Sequence, residues 1–300
     1  MPELPEVETI RRGLEGRVEG LEILGIEATG SRIFQIDPAE MAAALEGKCF
    51  VGLERLGKFL IFRLQGRTLV VHLGMTGQLT LRQPEVRDAE GFFRHPVTGL
   101  QRVRQHAPDR HTHFQIHFEN GSSLLYRDTR MFGKVYLLSP AEAARDRFFA
   151  RLGLEPFSDE YRLGAFLRRF RGRTLAVKSL LLDQGFVAGV GNIYADEALF
   201  EANLHPLRRV TTLRRYEKER LFQTIKIGLE KGIHFGGTSM RDYINSDGET
   251  GSFQEQLLVY GRRGEECFLC GTEVEKIIVS QRGTHFCPTC QPRSRPVRRP

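Results

Sequence analysis

Four of the five cysteines in this 300-residue chain stand as two CxxC pairs, Cys267-Phe-Leu-Cys270 and Cys287-Pro-Thr-Cys290, with sixteen residues between the inner members. Two tight turns at that spacing can offer four thiolates to one tetrahedral zinc ion. Paired redox-active CxxC motifs are the alternative, but two of them at this separation fit a zinc ribbon better. The intervening Val274–Phe286 suits a β-hairpin with its turn near Gln281-Arg282-Gly283. His285 could substitute as a ligand, although Cys267, Cys270, Cys287 and Cys290 already complete the shell. A shell with four protein ligands keeps no open position for substrate, so the expected cofactor is one structural Zn²⁺. Cys49 has no partner in sequence and reads as a small buried hydrophobe. His106, His111, His113 and His117 resemble a metal cluster, but alternation along a strand beside a polar loop accounts for them without a metal.

Upstream of this module the texture divides in two. Leu4, Val7, Ile10 and Leu14 recur at helical spacing, and Pro5 suits a first helical turn. From Leu21 to Leu138, runs such as Phe59-Leu-Ile-Phe-Arg-Leu64, Thr68-Leu-Val-Val-His-Leu73 and His113-Phe-Gln-Ile-His-Phe118 are separated by Gly or Asn-Gly turns, the rhythm of antiparallel strands. Residues 82–110 read as a long polar loop. After Pro140 the pattern is helical: Ala141–Leu152, then, past a boundary at Gly153 and Pro156, Leu163–Phe170, Leu175–Leu182, Ile193–Ala202 and Leu213–Gly232. Residues 236–256, rich in Gly, Ser, Thr and Asp, read as a flexible loop, and the Arg/Pro-rich end as a disordered tail.

The formal charge is +7. Residues 151–300 hold 24 Lys+Arg against 18 Asp+Glu, a net +6, whereas residues 1–150 hold 20 against 19, a net +1. The second half is therefore the better candidate to meet a polyanion. No stretch has the length of uncharged apolar sequence that a membrane helix needs, and the acidic start lacks the basic and apolar regions of a secretory signal. A cytoplasmic protein is expected, in which thiols remain reduced.

Two local features can carry chemistry, although Met-Pro starts and glycine turns ahead of a helix are each common without any function. Met1 precedes Pro2, a pairing that permits removal of the initiator and would leave a secondary amine just before a helix. An amine there can attack a sugar C1′ or a carbonyl, with Glu3 and Glu6 at hand to move protons. Further on, Ala188-Gly-Val-Gly-Asn192 is a glycine turn that feeds a helix, and its N–H groups together with Asn192 could hold an anion. Lys178 and the nearby Arg168, Arg169, Arg171 and Arg173 make a surface that tracks a phosphate backbone credible.

These motifs, taken in order, resemble the bacterial formamidopyrimidine-DNA glycosylase family. The resemblance runs through Pro2-Glu-Leu-Pro-Glu-Val-Glu-Thr-Ile10, Lys58, His72-Leu-Gly-Met-Thr-Gly77, Asp128-Thr-Arg-Met-Phe-Gly133, Gly189–Glu197, Gly236-Gly-Thr, Val259-Tyr-Gly-Arg and the cysteine module with Gln281-Arg282. It implies an α+β multidomain fold: an N-terminal catalytic β-sandwich with flanking helices (1–152), a helix–two-turns–helix DNA-binding domain (158–261), a C-terminal zinc-finger β-hairpin (262–292) and a basic tail (293–300), with DNA held between the domains. It further implies that Pro2 attacks C1′ of a damaged nucleotide, with Glu3 as general acid/base and Glu6 as helper, and that β- and δ-elimination follow. Lys58, placed with the catalytic group, and Asn192 and Arg282 would grip phosphates around the lesion. Met75, Arg130 and Phe132 would enter the stack, Arg130 bonding to the orphaned base. Lys178 would lie on the DNA-facing side, and the loop near 237–252 would close over the flipped purine.

The expected partner is duplex DNA containing oxidised bases, met by a monomer with no membrane attachment. An endonuclease VIII-type enzyme for oxidised pyrimidines is the nearest rival. A non-catalytic zinc-ribbon DNA-binding protein leaves Pro2 and Glu3 unexplained, and a metal-dependent nuclease would need a carboxylate cluster. The loop 82–110 and the Arg-rich tail depart from the family pattern without touching a catalytic motif.

Overall fold

The computed structural model describes residues 2–84, 108–145, 147–240 and 242–293. Met1, most of the expected polar loop and the last seven residues of the tail lie outside the described residues. The chain divides into two compact units, Met1–Phe149 with Phe235–Gln254, and Ala150–His234 with Glu255–Pro300.

The first unit opens with α1 (Leu4–Leu14) and continues through β1 (Ile23–Ala28), α2 (Pro38–Leu45), β2 (Gly52–Leu56), β3 (Phe59–Leu64), β4 (Arg67–His72), β5 (Gly77–Arg82), β6 (Thr112–Phe118), β7 (Ser123–Asp128), β8 (Lys134–Leu138) and α3 (Pro140–Arg145). Its strands form two four-stranded antiparallel sheets, β1-β6-β7-β5 and β2-β3-β4-β8. In β6 the apolar Phe114, Ile116 and Phe118 face the core while Gln115 and His117 alternate outward. β3 has neighbours on both edges and is buried almost throughout, so it reads as a continuous apolar run. The core joins both sheets to α1: Val7, Ile10 and Leu14 meet Leu60, Phe62, Leu79, Phe114, Tyr126 and Val135. Burial of a side chain of this size contributes roughly 1.5–3 kcal/mol, which fixes α1 on the sandwich and with it the start of the chain.

Helix is described on both sides of residue 146, as α3 and as α4 (Arg147–Ala150), within the stretch expected to be helical over Ala141–Leu152, and the second unit begins at Ala150. It continues with α5 (Leu163–Arg168), α6 (Val177–Leu182), α7 (Asn192–Glu201), α8 (Arg215–His234), β9 (Glu275–Val279) and β10 (Arg282–Phe286). Between α6 and α7 the chain makes two successive turns, at 184–186 and 188–189. Gln184 braces both of them, donating to Val190 O (2.7 Å) and accepting from Gly189 N (2.9 Å). The hairpin of β9 and β10 pairs Arg282 with Val279, so Arg282 starts a strand and the turn falls one residue earlier than expected, on Ser280 and Gln281. Both turn residues take positive φ (48° and 59°), the conformation whose twist matches the flanking strands.

Residues 235–254, expected to belong with the 158–261 domain, group with the sandwich instead. They hold on through backbone and charged contacts: Thr238 N donates to Glu6 Oε1 (2.7 Å), Leu81 N to Ser246 O (2.8 Å), and Arg17 pairs with Asp247 (2.7 Å). The flexible loop expected over 236–256 is correspondingly well bonded internally. Ser239 Oγ, for instance, donates to Tyr243 O and accepts from Gly251 N, each at 2.9 Å.

Candidate functional site

The head of α1 is the centre of the first unit's site. Pro2 and Glu3 precede the helix and are both buried, Glu3 at 2% exposure. Glu6, three residues on, accepts from Glu3 N with one carboxylate oxygen (2.8 Å) and from Thr238 N with the other. It thus satisfies a helix-end donor and tethers residues 235–254 in one group. Gly237 sits against it in the left-handed region (φ +86°), where an added Cβ would come within 2.9 Å of Glu6 Cγ. The Tyr243 hydroxyl closes the same corner by donating to Glu6 O (3.2 Å). Burial, and then the charge of Glu6, hold that phenol well above its usual range. Both Glu6 oxygens thus accept backbone donors, so the group expected to help move protons beside Glu3 also anchors the head of α1 to residues 235–254.

On the adjoining face of α1, Glu8 gathers three guanidinium groups: Arg11 (3.0 Å), Arg12 (2.8 Å) and Arg55 (2.9 Å). Burial opposes ionisation of Glu8, but the combined Arg contacts prevail and bring its pKa down to about 2. Arg55 passes the constraint on by donating to Gly57 O (3.0 Å), in the turn that carries Lys58. Lys58 is 7% exposed and lies close enough to His72 that its charge, after burial, lowers the His72 pKa to about 4. Gly74 N donates to His72 Nδ1 (3.1 Å), which requires the neutral ring. His72 opens the quoted motif His72–Gly77, but the sequence assigned it no role. Its strand position opposite Phe59, next to Lys58, is what makes it a site residue.

The three expected insertion residues lie together on two adjacent turns. Met75 is half-buried, Arg130 is exposed, and Phe132 is exposed at 45% with the Arg130 guanidinium 4.8 Å from its ring centre. Gly74 (φ +66°) lets these turns touch: a Cβ there would lie 2.5 Å from Gly133 N and Phe132 C.

The second unit's site is built around α7. Asn192 is its first residue and Gly191 its cap. The Asn192 amide donates across to Gly283 O (2.9 Å). Lys178, expected on a DNA-facing surface, is instead fully buried. Its Nζ lies 2.6 Å from Asp196 Oδ1, both side chains at 0% exposure, and 3.4 Å from Gly283 O. The reason is local, because a buried carboxylate on α7 needs a cation and α6 supplies it. Asp196 Oδ2 accepts from His285 N (2.9 Å), while Glu197 accepts from the amides of Leu258, Val259 and Tyr260 at 2.8, 3.0 and 2.8 Å. Two neighbouring acids thus hold the cysteine module to α7. Arg282 remains exposed at the hairpin's tip.

Cys267, Cys270, Cys287 and Cys290 bring their sulfurs within 4.8 Å of one another. Individual pairs stand at 3.9, 3.5 and 3.5 Å. A tetrahedron with Zn–S bonds of about 2.3 Å has edges of about 3.8 Å, so the four thiols fit one zinc ion. Among the described residues this is the one such group. His285 is occupied elsewhere, packed on Tyr260 at 5.0 Å, and of the rejected histidine cluster His113 bonds to Asp128 O (2.9 Å) and His117 to Glu27 (3.0 Å).

A two-sheet sandwich led by a helix, two turns between helices and a four-cysteine zinc hairpin define the sandwich, helix–two-turns–helix and zinc-finger class. Comparison with known proteins narrows this. Residues 1–135 match the formamidopyrimidine-DNA glycosylase N-terminal domain, residues 152–244 the H2TH domain of the same proteins, and residues 264–293 the zinc finger found in FPG and IleRS. The formamidopyrimidine-DNA glycosylase of Symbiobacterium thermophilum is 43% identical, over 97% of this chain and 90% of its own length. Two solved structures of Lactococcus lactis Fpg, one with abasic-site DNA and one with DNA containing Fapy-dG, superpose with TM-scores of 0.84 and 0.83. Each is 36% identical and covers 97% of this chain, and the match spans 99% and 100% of the solved chains respectively. The chain belongs to the formamidopyrimidine-DNA glycosylase family. No helix among the described residues is long and apolar enough to cross a membrane.

Proposed function

We propose that this chain is a bifunctional DNA glycosylase and AP lyase that removes oxidised purines, 8-oxoguanine and formamidopyrimidines, from duplex DNA. The observation that carries the reading is the burial of Pro2 and Glu3 together at the head of α1, which is itself clamped by Glu6 and by the sandwich core. With Met1 removed, the Pro2 nitrogen is a secondary amine. It forms a bond to C1′ as the glycosidic C1′–N bond breaks, and the base departs with a proton. Opening of the sugar ring passes a proton to O4′ and leaves an iminium on Pro2. Loss of a C2′ proton then expels the 3′ phosphate, and a second elimination expels the 5′ phosphate. Glu3 is the nearest carboxyl in sequence to the reacting nitrogen and is assigned these proton transfers.

Lys58 and His72 in the first unit, and Asn192 and Arg282 in the second, are assigned to phosphates around the lesion, contacts that position without reading sequence. Phe132 and Met75 hold the vacated step open and Arg130 bonds to the orphaned base. Exposure of Phe132, otherwise unfavourable for a large apolar ring, supports that assignment. The zinc contributes no reactive position. It orders the hairpin that carries Arg282.

The test is borohydride trapping on a duplex with one 8-oxoguanine opposite cytosine. A covalent protein–DNA band is expected, and it should vanish for Pro2→Gly and for a blocked N-terminus. No band with this lesion, with an oxidised pyrimidine or with an abasic site would leave a zinc-ribbon DNA-binding protein as the better account.

A further inference from the structure

Asp128 closes β7, is fully buried, and is unused by the chemistry above. Its Oδ1 accepts from the Thr76 hydroxyl (2.5 Å) and from Arg130 N (3.2 Å). Its Oδ2 accepts from Gly133 N (2.8 Å) and from the Tyr126 hydroxyl (3.5 Å). Thr76 Oγ1 accepts a further bond from Arg130 N (3.1 Å), and the Asp128 carbonyl accepts from His113 Nε2 (2.9 Å). Two donors come from the loop 129–133 that carries Arg130 and Phe132. One comes from the turn 74–76 that carries Met75.

The shape of that loop has a cost. Met131 sits in the left-handed region (φ +54°) with its side chain against the sandwich core, while its neighbours Arg130 and Phe132 point outward. A non-glycine residue in that conformation is strained, so something must over-determine it. A carboxylate with both oxygens occupied by loop and turn donors does so, and its charge strengthens each bond. An amide in its place would turn N–H groups toward two of those donors.

We propose that Asp128 is a positioning residue for lesion recognition: it fixes Met75, Arg130 and Phe132 as one preformed unit, so that reading of the orphaned base by Arg130 depends on the Asp128 carboxylate. The inference rests on the insertion role assigned under Proposed function.

The test uses the full zinc-loaded chain with Pro2 free, and duplexes carrying 8-oxoguanine opposite cytosine or opposite an abasic residue, which leaves no base to read. Asp128→Asn is expected to lower kcat/KM about tenfold on the first duplex and less than about threefold on the second. Combined with Arg130→Ala it should add little, since coupled residues are not additive. Should Asp128→Asn fail to fold by thermal melting, Thr76→Val, which removes only the bridging hydroxyl, should show the same pattern at smaller amplitude. Equal losses on both duplexes, or fully additive losses in the double variant, would overturn the inference while leaving the glycosylase reading intact. Failure of the wild type to form the borohydride adduct would overturn both.

Discussion

Replacing Lys178 by Met separates two accounts of that residue. The ammonium lies 2.6 Å from Asp196 with both side chains at 0% exposure. Removing it leaves a buried carboxylate with the His285 amide at 2.9 Å but without its cation. Breaking a buried pair from one side costs about 3–5 kcal/mol, a large share of a total stability of about 5–15 kcal/mol. For a unit of this size that is on the order of 10–20 °C in the melting temperature. Because the same Nζ reaches Gly283 O beside Arg282, displacement of the hairpin should also weaken DNA binding. Adding Asp196→Leu removes the stranded charge, and the double variant should regain much of the stability and of the binding. A direct phosphate contact behaves differently. Its loss lowers the slope of log K against log salt by about 0.9, leaves stability within about 0.5 kcal/mol, and is not restored by any change at Asp196. Melting curves and salt titrations on the single and double variants decide the matter. A Lys178→Met protein of unchanged stability with a reduced slope in both variants would refute the buried-pair account.

Two further outcomes follow from the geometry. Chelating the zinc or making Cys287→Ser should lower DNA affinity at least tenfold while leaving the sandwich's own melting transition in place, since the thiols order β9 and β10 and the sandwich has a separate core; equal affinity of metal-free protein would refute it. Acidification should destabilise the first unit in two stages. His72 titrates at about 4 when folded, below its ordinary 6.5, so the unfolded chain binds the extra proton and stability falls as pH drops from 6.5 to 4. Glu8, depressed from 4.5 to about 2, contributes stability that is present above 4.5 and lost as pH falls toward 2. Urea unfolding across pH 2–7 checks both, and His72→Phe should flatten only the upper stage.

Much of the fold was legible in the chain because it depends on periodicity and local turn chemistry. The apolar spacing of α1, the alternation in β6 and the glycine turn before α7 each record which face is buried or which backbone angle is needed. The two cysteine pairs are legible for the same reason, since ligands with two residues between them meet one ion from a single turn. Legibility failed where a side chain's partner is distant in sequence. Lys178 reads as a surface cation until Asp196 is seen beneath it, and Glu6 as a spare carboxyl until the amide of Thr238, 232 residues away, is found on it. His72 and Asp128 open two of the quoted motifs but carried no role of their own, because what surrounds them is set by the fold: His72 lies opposite Phe59 next to Lys58, and Asp128 lies opposite Gly77, where the Thr76 hydroxyl reaches it.

The sequence by itself thus determined the order of elements, the zinc ligands and the family. Those follow from spacing along the chain, which covalent geometry preserves through folding. Only the tertiary structure decided which charged groups face solvent and which are spent holding the protein together. Burial makes an unpaired charge so costly that a lysine and two glutamates of unremarkable sequence context become anchors once the chain brings their partners to them.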